Sequence, residues 1–280
     1  MNIKDVINAI EKLESLNPKD KFSYKKAVLA YQSIKKLPIC AIPILPKNNV
    51  FVFRSRIHEK NGFFEKISDI CHQEKVNVSS FGRCNIPGQS SFYCSENRET
   101  SFVELLSDFT DKNIGNKVYV TTGRWHLTRN LSAIVAISPD KEKRISKLHQ
   151  LYGQQMDEFI ENIADSDIRE ATIVFYRFLS EKFRTGQKDF KTYIITVGYY
   201  NLILSKCKSN SVCYPSVPFG EQGLNFAIES EFINQENIEL VNVMRSKISI
   251  NSKENGLPLF VETEQILTQK IDKAQNKILW

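Results

Sequence analysis

The sequence lacks the long apolar stretch that a membrane-spanning helix requires. Its longest apolar run, YIITVGYYNLIL at 193–204, falls short of the ~18–20 residues that cross a bilayer. The amino-terminal segment MNIKDVINAIEKLESL is amphipathic and charged, which is unlike a secretory signal. We therefore expect a cytoplasmic protein with no membrane partner.

Paired cysteines and metal-ligand patterns are also missing. The chain has 6 cysteines, but none belongs to a C-x-x-C motif or to another paired spacing, and its 4 histidines make no ligand pattern. We expect free thiols in a reducing compartment, no disulfide and no metal ion.

Two further absences concern nucleotides and nucleic acids. The sequence has neither a Gly-x-Gly-x-x-Gly motif nor a P-loop, so a dinucleotide would not be held as in a Rossmann fold. The net charge is +6 and no long basic run occurs, the nearest being KEKR at 141–144. These features disfavour nucleic acid as a partner and leave a phosphate-bearing small molecule or an acidic protein open.

The elements that are present indicate an ordinary globular chain. The 280 residues are 41% hydrophobic and rich in aromatics, which suits one large domain or two small ones. The apolar spacing predicts both helices and strands, and their order indicates an α+β fold with a mixed or antiparallel sheet. We expect helices at 4–16, 23–37, 96–109, 146–164, 167–186, 190–206 and 262–278, and strands at 50–57, 90–95, 117–122, 131–138, 212–217, 224–229 and 238–250.

Composition also predicts three regions. Prolines in LPICAIPILPKNN, at 37–49, indicate an extended linker after two helices. We therefore expect a helical amino-terminal appendage and linker over 1–49, a main domain over 50–250 and a carboxy-terminal helix over 251–280.

The stretch GRCNIPGQSSFYCSENRETSFVE, at 82–104, combines a turn, a strand and a helix. Gly88 follows a proline and accepts the positive φ that such a turn requires. Alternation along the strand sends Phe92 and Cys94 towards the core and leaves Tyr93 facing a cleft or solvent. Tyr93 could equally be an aromatic at the rim of an ordinary core.

The helix of this stretch carries a glutamate away from its apolar stripe. Glu104 lies about 200° around the helix axis from Phe102. Spacing alone therefore describes Glu104 as a solvated helix residue.

Two arginines share one side of an earlier strand. Only Ser55 separates Arg54 from Arg56, so both side chains can face the same way. Burying two unpaired arginines is costly, so either acidic partners or an anionic ligand are expected there. The alternative is a pair that faces solvent.

A serine further along the chain has a stiff backbone. Ser216 lies between two prolines in YPSVP, which fixes the orientation of its hydroxyl. The alternative is an ordinary turn serine.

Taken together, FRSRI at 53–57, the stretch at 82–104, YPSV at 214–217 and GLNFAI at 223–228 resemble the RES domain family, which is named after an Arg, a Glu and a Ser. The resemblance covers about 50–230 and is poor in the long insert between 139 and 190. Ser101 stands where the family has alanine. The family positions fall on Arg83, Asn85, Gly88, Tyr93, Glu104, Ser216 and Asn225.

This resemblance implies a fold like that of ADP-ribosyltransferases, with a RES-like catalytic domain over 50–250. It also implies NAD as a consumed substrate, with no resident cofactor. Known members degrade NAD by hydrolysis or phosphorolysis of the nicotinamide–ribose bond, and some are reported to modify proteins. Several are toxins restrained by a helix-turn-helix antitoxin, so an antitoxin or inhibitor protein is an expected partner.

The resemblance also implies roles for the residues. Glu104 would stabilise the cationic ribose, and Arg83, helped by Arg54 and Arg56, would grip the pyrophosphate. Tyr93 would stack on nicotinamide or bond a ribose hydroxyl. The catalytic set is Glu104, Arg83, Tyr93 and Ser216, and the substrate-binding set is Arg54, Arg56, Asn85, Gly88 and Asn225.

Two other functions stay open at this stage. The same fold could transfer ADP-ribose to a protein or nucleic acid. Alternatively, the chain could be a non-catalytic basic module whose terminal helices dock partners or further copies of itself as a homo-oligomer. The scattered basic residues disfavour this last hypothesis.

Overall fold

The computed structural model describes residues 2–37, 39–44, 50–58, 62–106, 115, 117–185, 189–234, 236–254 and 257–280. The helices are α1 (Ile3–Glu14), α2 (Ser23–Gln32), α3 (Ile67–Ile70), α4 (Arg98–Leu106), α5 (Lys147–Glu161), α6 (Ser166–Arg184) and α7 (Phe190–Lys206). The strands are β1 (Ala41–Ile44), β2 (Phe51–His58), β3 (Ser91–Ser95), β4 (Lys117–Leu127), β5 (Leu131–Val135), β6 (Ser211–Pro215), β7 (Leu224–Glu229), β8 (Ile238–Glu254), β9 (Leu257–Leu267), β10 (Lys270–Asp272) and β11 (Lys277–Leu279).

A large mixed sheet organises the described residues. Its nine strands follow the order β1-β5-β6-β7-β3-β2-β4-β8-β9. The β5–β6 pairing is parallel, whereas the others in this sheet are antiparallel. The predicted α+β class with a mixed sheet is confirmed.

The sheet divides between β2 and β3. The register between these strands contains a single residue pair, Phe53 opposite Ser95. By contrast, β2 pairs with β4 along its whole length, from Phe51 opposite His126 to His58 opposite Tyr119. An opening therefore lies in the middle of the sheet, next to the strands that carry the predicted arginines and tyrosine.

The amino-terminal helices pack into the main core. Val6, Leu13 and Tyr31 are buried in it, and the Tyr31 hydroxyl donates to the Ile195 carbonyl of α7 at 3.1 Å. Part of the predicted linker, residues 41–44, forms the edge strand β1 and pairs with β5. Residues 38 and 45–49 of that linker, residues 107–109 of the helix predicted at 96–109 and residue 186 of the helix predicted at 167–186 lie outside the described residues.

The predicted carboxy-terminal helix over 251–280 is wrong. This segment forms β9 against β8, followed by the hairpin of β10 and β11. Val261 and Thr263 are β-branched and favour a strand, and Asn276 adopts a φ of 55°, which no α-helix contains. The charged residues of this segment belong instead to strands and a turn.

Of the helices that the structure describes, none has both the length and the apolar character to traverse a bilayer. The six cysteines are all free thiols.

Candidate functional site

A cleft of about 620 Å³ opens where β2 and β3 separate. Its volume lies within the ~300–1,000 Å³ typical of ligand sites. Three guanidinium groups, from Arg54, Arg56 and Arg83, line it together with Tyr93 and Glu104. Glu104 is the sole carboxylate among the described lining residues, so the cleft favours an anionic ligand.

Helix α4 brings Glu104 to the cleft. The Asn97 side chain caps the helix by accepting a hydrogen bond from the Thr100 amide at 2.7 Å. Phe102 and Leu106 are buried in a small secondary core against β4 and β8. Glu104 points away from this core, as its angular position predicts, and it lines the opening.

Two buried donors hold one oxygen of Glu104. Oε1 accepts from the Ser216 hydroxyl at 2.7 Å and from the Asn225 side-chain amide at 2.6 Å. The Ser95 hydroxyl donates to Oδ1 of Asn225 at 2.7 Å, which fixes the orientation of that amide. Charge-assisted bonds of this kind are strong, so the carboxylate is preorganised. Ser216 and Asn225 are positioned to act through Glu104.

The loop between β6 and β7 fixes Ser216. The Ser216 amide donates to the Gly223 carbonyl, and the Glu221 amide donates to the Ser216 carbonyl, both at 2.8 Å. Arg184 of α6 holds the Glu221 side chain through a 2.5 Å bond to Oε1. A Cβ on Gly223 would lie 2.0 Å from Thr100 Oγ1, so glycine allows α4 to approach β7 closely.

Arg54 and Arg56 donate to carbonyl oxygens. Arg54 Nε donates to Cys71 at 3.0 Å, and its Nη1 crosses the opening to Tyr93 at 2.7 Å. Arg56 Nη1 donates to Asp69 at 2.5 Å. Burial, and then the nearby Arg56 charge, lower the pKa of Arg54. Within the described residues no carboxylate pairs with either arginine, which leaves an anion as the expected neutralising group.

Arg83 joins the cleft wall to the end of α6. Its guanidinium donates to the carbonyls of Phe183 at 2.7 Å and Thr185 at 3.2 Å. It also lies over the rings of Tyr193 and Tyr214, 6.0 and 5.6 Å from their centroids. The negative end of the helix dipole favours a cation here. Arg83 therefore caps a helix and lines the cleft.

The Tyr93 hydroxyl is occupied within the protein. It accepts from the Cys84 amide and donates to Asn85 Oδ1, both at 2.8 Å. Burial raises the pKa of Tyr93 well above its usual value. The ring, and not the hydroxyl, is what this side chain offers to a ligand.

Asn85 and Gly88 lie outside the lining of the cleft. Asn85 faces a neighbouring cavity of about 310 Å³ that shares Arg54 and Tyr93 with the cleft. Gly88 adopts a φ of 78° in an exposed turn, as predicted, and its amide donates to the Val78 carbonyl. Both residues support the loop that carries Arg83.

The structure therefore gathers most of the predicted set. Arg54, Arg56, Arg83, Tyr93, Glu104 and Asn225 line the cleft, and the fully buried Ser216 reaches it through Glu104. Sequence reasoning missed Ser95, Tyr193 and Tyr214. The alternation that predicts the orientation of Tyr93 also places Ser95 on its side, whereas nothing local marks Tyr193 at the start of α7.

A larger opening lies on the other side of α3. It measures about 910 Å³ and mixes both charge signs, with Lys273 paired to Glu239. It touches the cleft through Arg56, which lines both. Because its described lining includes the carboxylates of Asp69, Glu74 and Glu239, it is less suited to an anion than the cleft.

No model of a known protein family matches this chain, and no curated protein gives a significant match to its sequence.

Proposed function

We propose that this protein consumes NAD by breaking the bond between nicotinamide and ribose, and that it is a RES-type enzyme with an ADP-ribosyltransferase-like fold. The observation that supports this most strongly is the Glu104 carboxylate, fixed by Ser216 and Asn225 in a cleft whose described lining also contains three guanidinium groups. A dinucleotide offers both matching features, namely a pyrophosphate and a ribose that becomes cationic.

The chemistry requires little from the protein beyond electrostatics. When the bond between ribose C1′ and the pyridinium nitrogen breaks, its electron pair passes to nicotinamide, which leaves neutral and needs no acid. The ribose then resembles an oxocarbenium ion, which the Glu104 carboxylate stabilises. A water oxygen adds to C1′ and its proton passes to solvent. Inorganic phosphate in place of water gives phosphorolysis.

The arginines suit the other half of the substrate. Guanidinium groups bind phosphate oxygens with two parallel N–H donors. Arg54 and Arg56 reach the cleft from β2, and Arg83 reaches it from the opposite side of the opening. A pyrophosphate bound there would neutralise the charges of Arg54 and Arg56, which no described carboxylate neutralises.

The decisive experiment measures nicotinamide release from NAD by the purified protein. Glu104→Gln keeps an oxygen that can accept from Ser216 and Asn225 but removes the charge, so the rate should fall ~10²–10³-fold. Glu99→Gln is the matched control, since Glu99 is exposed on the same helix. Equal rates for wild type and Glu104→Gln, or no release by a folded wild type with or without phosphate, would disprove the proposal.

The reaction products separate the remaining outcomes. NAD labelled in its adenosine half should yield free ADP-ribose in water and its 1-phosphate in phosphate buffer. Label that accumulates on protein or nucleic acid would instead identify a transferase.

A toxin or defence role would show in cells. Expression of the wild type should deplete NAD and arrest growth, whereas Glu104→Gln should do neither. Depletion relieved by a co-expressed neighbouring gene product would identify the antitoxin or inhibitor.

A further inference from the structure

Helix α3 depends on distant residues at its amino-terminal end. It has only four residues, Ile67–Ile70, and so brief a helix is not stable on its own. The backbone amides of its first two residues, Ile67 and Ser68, need hydrogen-bond acceptors, and Asn276 supplies one for each. The Asn276 carbonyl accepts from the Ile67 amide at 3.2 Å, and its Oδ1 accepts from the Ser68 amide at 3.1 Å. Asn276 Nδ2 also donates to the Ser68 hydroxyl at 3.1 Å.

The carboxy-terminal end of α3 leads directly to the cleft. The carbonyls of Asp69 and Cys71 accept from Arg56 and Arg54, the two arginines of β2 that line it. Ile70 is fully buried and ties the helix to the core. The helix thus lies between an asparagine cap and two guanidinium groups.

The hairpin that carries Asn276 is itself fixed to the chain just before α3. The Ile278 amide donates to the Glu65 carbonyl at 2.7 Å, and Trp280 Nε1 donates to the Phe64 carbonyl at 2.9 Å. Asn276 adopts a φ of 55°, a conformation that asparagine and glycine tolerate best. These contacts hold the Asn276 side chain against α3.

We propose that Asn276 is a positioning residue for the anion-binding arginines, so that the β10–β11 hairpin sets the geometry in which Arg54 and Arg56 receive a pyrophosphate. This inference rests on the proposed function for the identity of the substrate. Asn276 orients α3, and α3 presents the two carbonyls that hold the guanidinium groups. Without the cap, the carbonyls shift and the long arginine side chains regain rotational freedom, which weakens ligand binding.

Substitution at Asn276 tests this directly, because the residue is exposed and the change leaves the core intact. Asn276→Gly permits the same backbone conformation and removes both side-chain bonds. We expect the KM for NAD to rise about tenfold with kcat within about twofold, less than the ~10²-fold that a 1 Å misplacement can cost. Asn276→Asp, which keeps the Oδ1 acceptor, should lie between Asn276→Gly and wild type. Gln275→Ala, in the same turn, is the matched control and should match wild type.

A second measurement does not depend on turnover. Titration with inorganic pyrophosphate, followed by the NMR signals of arginine Nε–H groups, reports on the Arg54 bond to Cys71. In Asn276→Gly the Arg54 signal should exchange faster with water, and pyrophosphate should bind about tenfold more weakly. If Asn276→Gly fails to fold, Ser68→Ala offers a milder test, because it removes only the contact with Asn276 Nδ2. It should change the exchange rate of the Arg54 signal and the pyrophosphate affinity in the same directions, by smaller amounts.

The outcomes are separable. An unchanged Arg54 signal and unchanged pyrophosphate affinity in the folded variant would overturn the positioning role, as would a fall in kcat at constant KM. If the wild type binds pyrophosphate but releases no nicotinamide, the proposed function fails while the binding measurements still decide the role of Asn276.

Discussion

The environment of Glu104 differs from the one that its position on the helix predicts. Helical spacing describes it as a solvated residue, and it is only half-buried. Its Oε1 nevertheless meets two buried donors, one in the loop after β6 and one in β7, more than a hundred residues further along the chain. The family resemblance singled out Ser216 and Asn225, but spacing along a chain carries no information on which atoms meet across a cleft. Their bonds to Glu104 are therefore visible only in the structure.

Tyr93 illustrates the same limit in the opposite direction. Alternation predicts that it faces the opening, which it does. Its hydroxyl, however, does not point into the free space of the cleft. It forms hydrogen bonds with Cys84 and Asn85 in the loop before β3. Residues 82–90 bring these two partners to the hydroxyl through a turn. The sequence predicts that a turn occurs there, but it does not predict where the turn places Cys84 and Asn85.

Removal of that hydroxyl should affect stability more than ligand binding. Tyr93→Phe keeps the ring in the cleft but leaves the Cys84 amide and Asn85 Oδ1 without this partner, which should lower the free energy of unfolding by about 1–3 kcal/mol. Urea unfolding measures the loss, and the KM for NAD at a temperature well below the midpoint should stay within about threefold. A large rise in KM with unchanged stability would assign the hydroxyl to the ligand.

At the scale of elements, most helices and strands before residue 250 follow from periodicity, whereas the short helix α3 and the strand β1, within the predicted linker, were missed. The final segment does not follow from periodicity, since β9 is an edge strand whose side chains are mostly exposed. The sequence of β9, LPLFVETEQIL, does not alternate apolar and polar residues, so it lacks the pattern that predicts a strand. The single β2–β3 pairing was equally beyond prediction, because it depends on how two strands separate in space.

The junction of β3 with β7 contains an acid whose protonation should alter stability. Glu96 follows β3, and its Oε1 accepts from the Leu224 amide at 3.1 Å. Burial raises the pKa of Glu96 to about 7 from a usual value of 4.5, against the opposing effect of that bond. The protonated form therefore stabilises the fold fully below pH 4.5, and this contribution is lost as the pH rises through 7.

Urea unfolding at pH 5, 6.5 and 8 would measure this effect. At 1.36 kcal/mol per pKa unit, the wild type should lose at most about 3 kcal/mol from this group between pH 5 and 8. Glu96→Gln keeps an acceptor for Leu224 and cannot ionise, so its stability should fall less over the same range. Parallel curves for the two proteins would show that Glu96 ionises normally in the fold.

At the scale of the whole molecule, the amino-terminal helices belong to the same core as the sheet. Burial of Val6, Leu13 and Tyr31 contributes ~1.5–3 kcal/mol each, and the sum is comparable with the ~5–15 kcal/mol that stabilises a typical domain. The sequence indicated an appendage because amphipathic helices followed by prolines look alike whether they pack on the same core or form a separate unit.

A chain without residues 1–36 should therefore fail to fold. It would expose the face of α7 on which α2 packs, where Gly198 meets the Ala27 side chain. We expect insoluble protein, or a soluble species without a cooperative thermal transition. Leu13→Asp should act in the same direction, whereas Ile7→Asp, on the exposed side of α1, should melt like wild type. A cooperative transition in the shortened chain would mean that the helices are dispensable.

The separation of β2 from β3 has a mechanical consequence. In addition to the Phe53–Ser95 pair, the Arg54 side chain spans this separation through its bond to the Tyr93 carbonyl. Arg54 and Arg56 belong to β2 on one side of this separation, while Glu104 is bonded to Ser216 and Asn225 on the other. A molecule held by both sets of groups would link the two halves of the sheet along the line with a single strand pairing, so binding of a ligand should make the cleft more rigid.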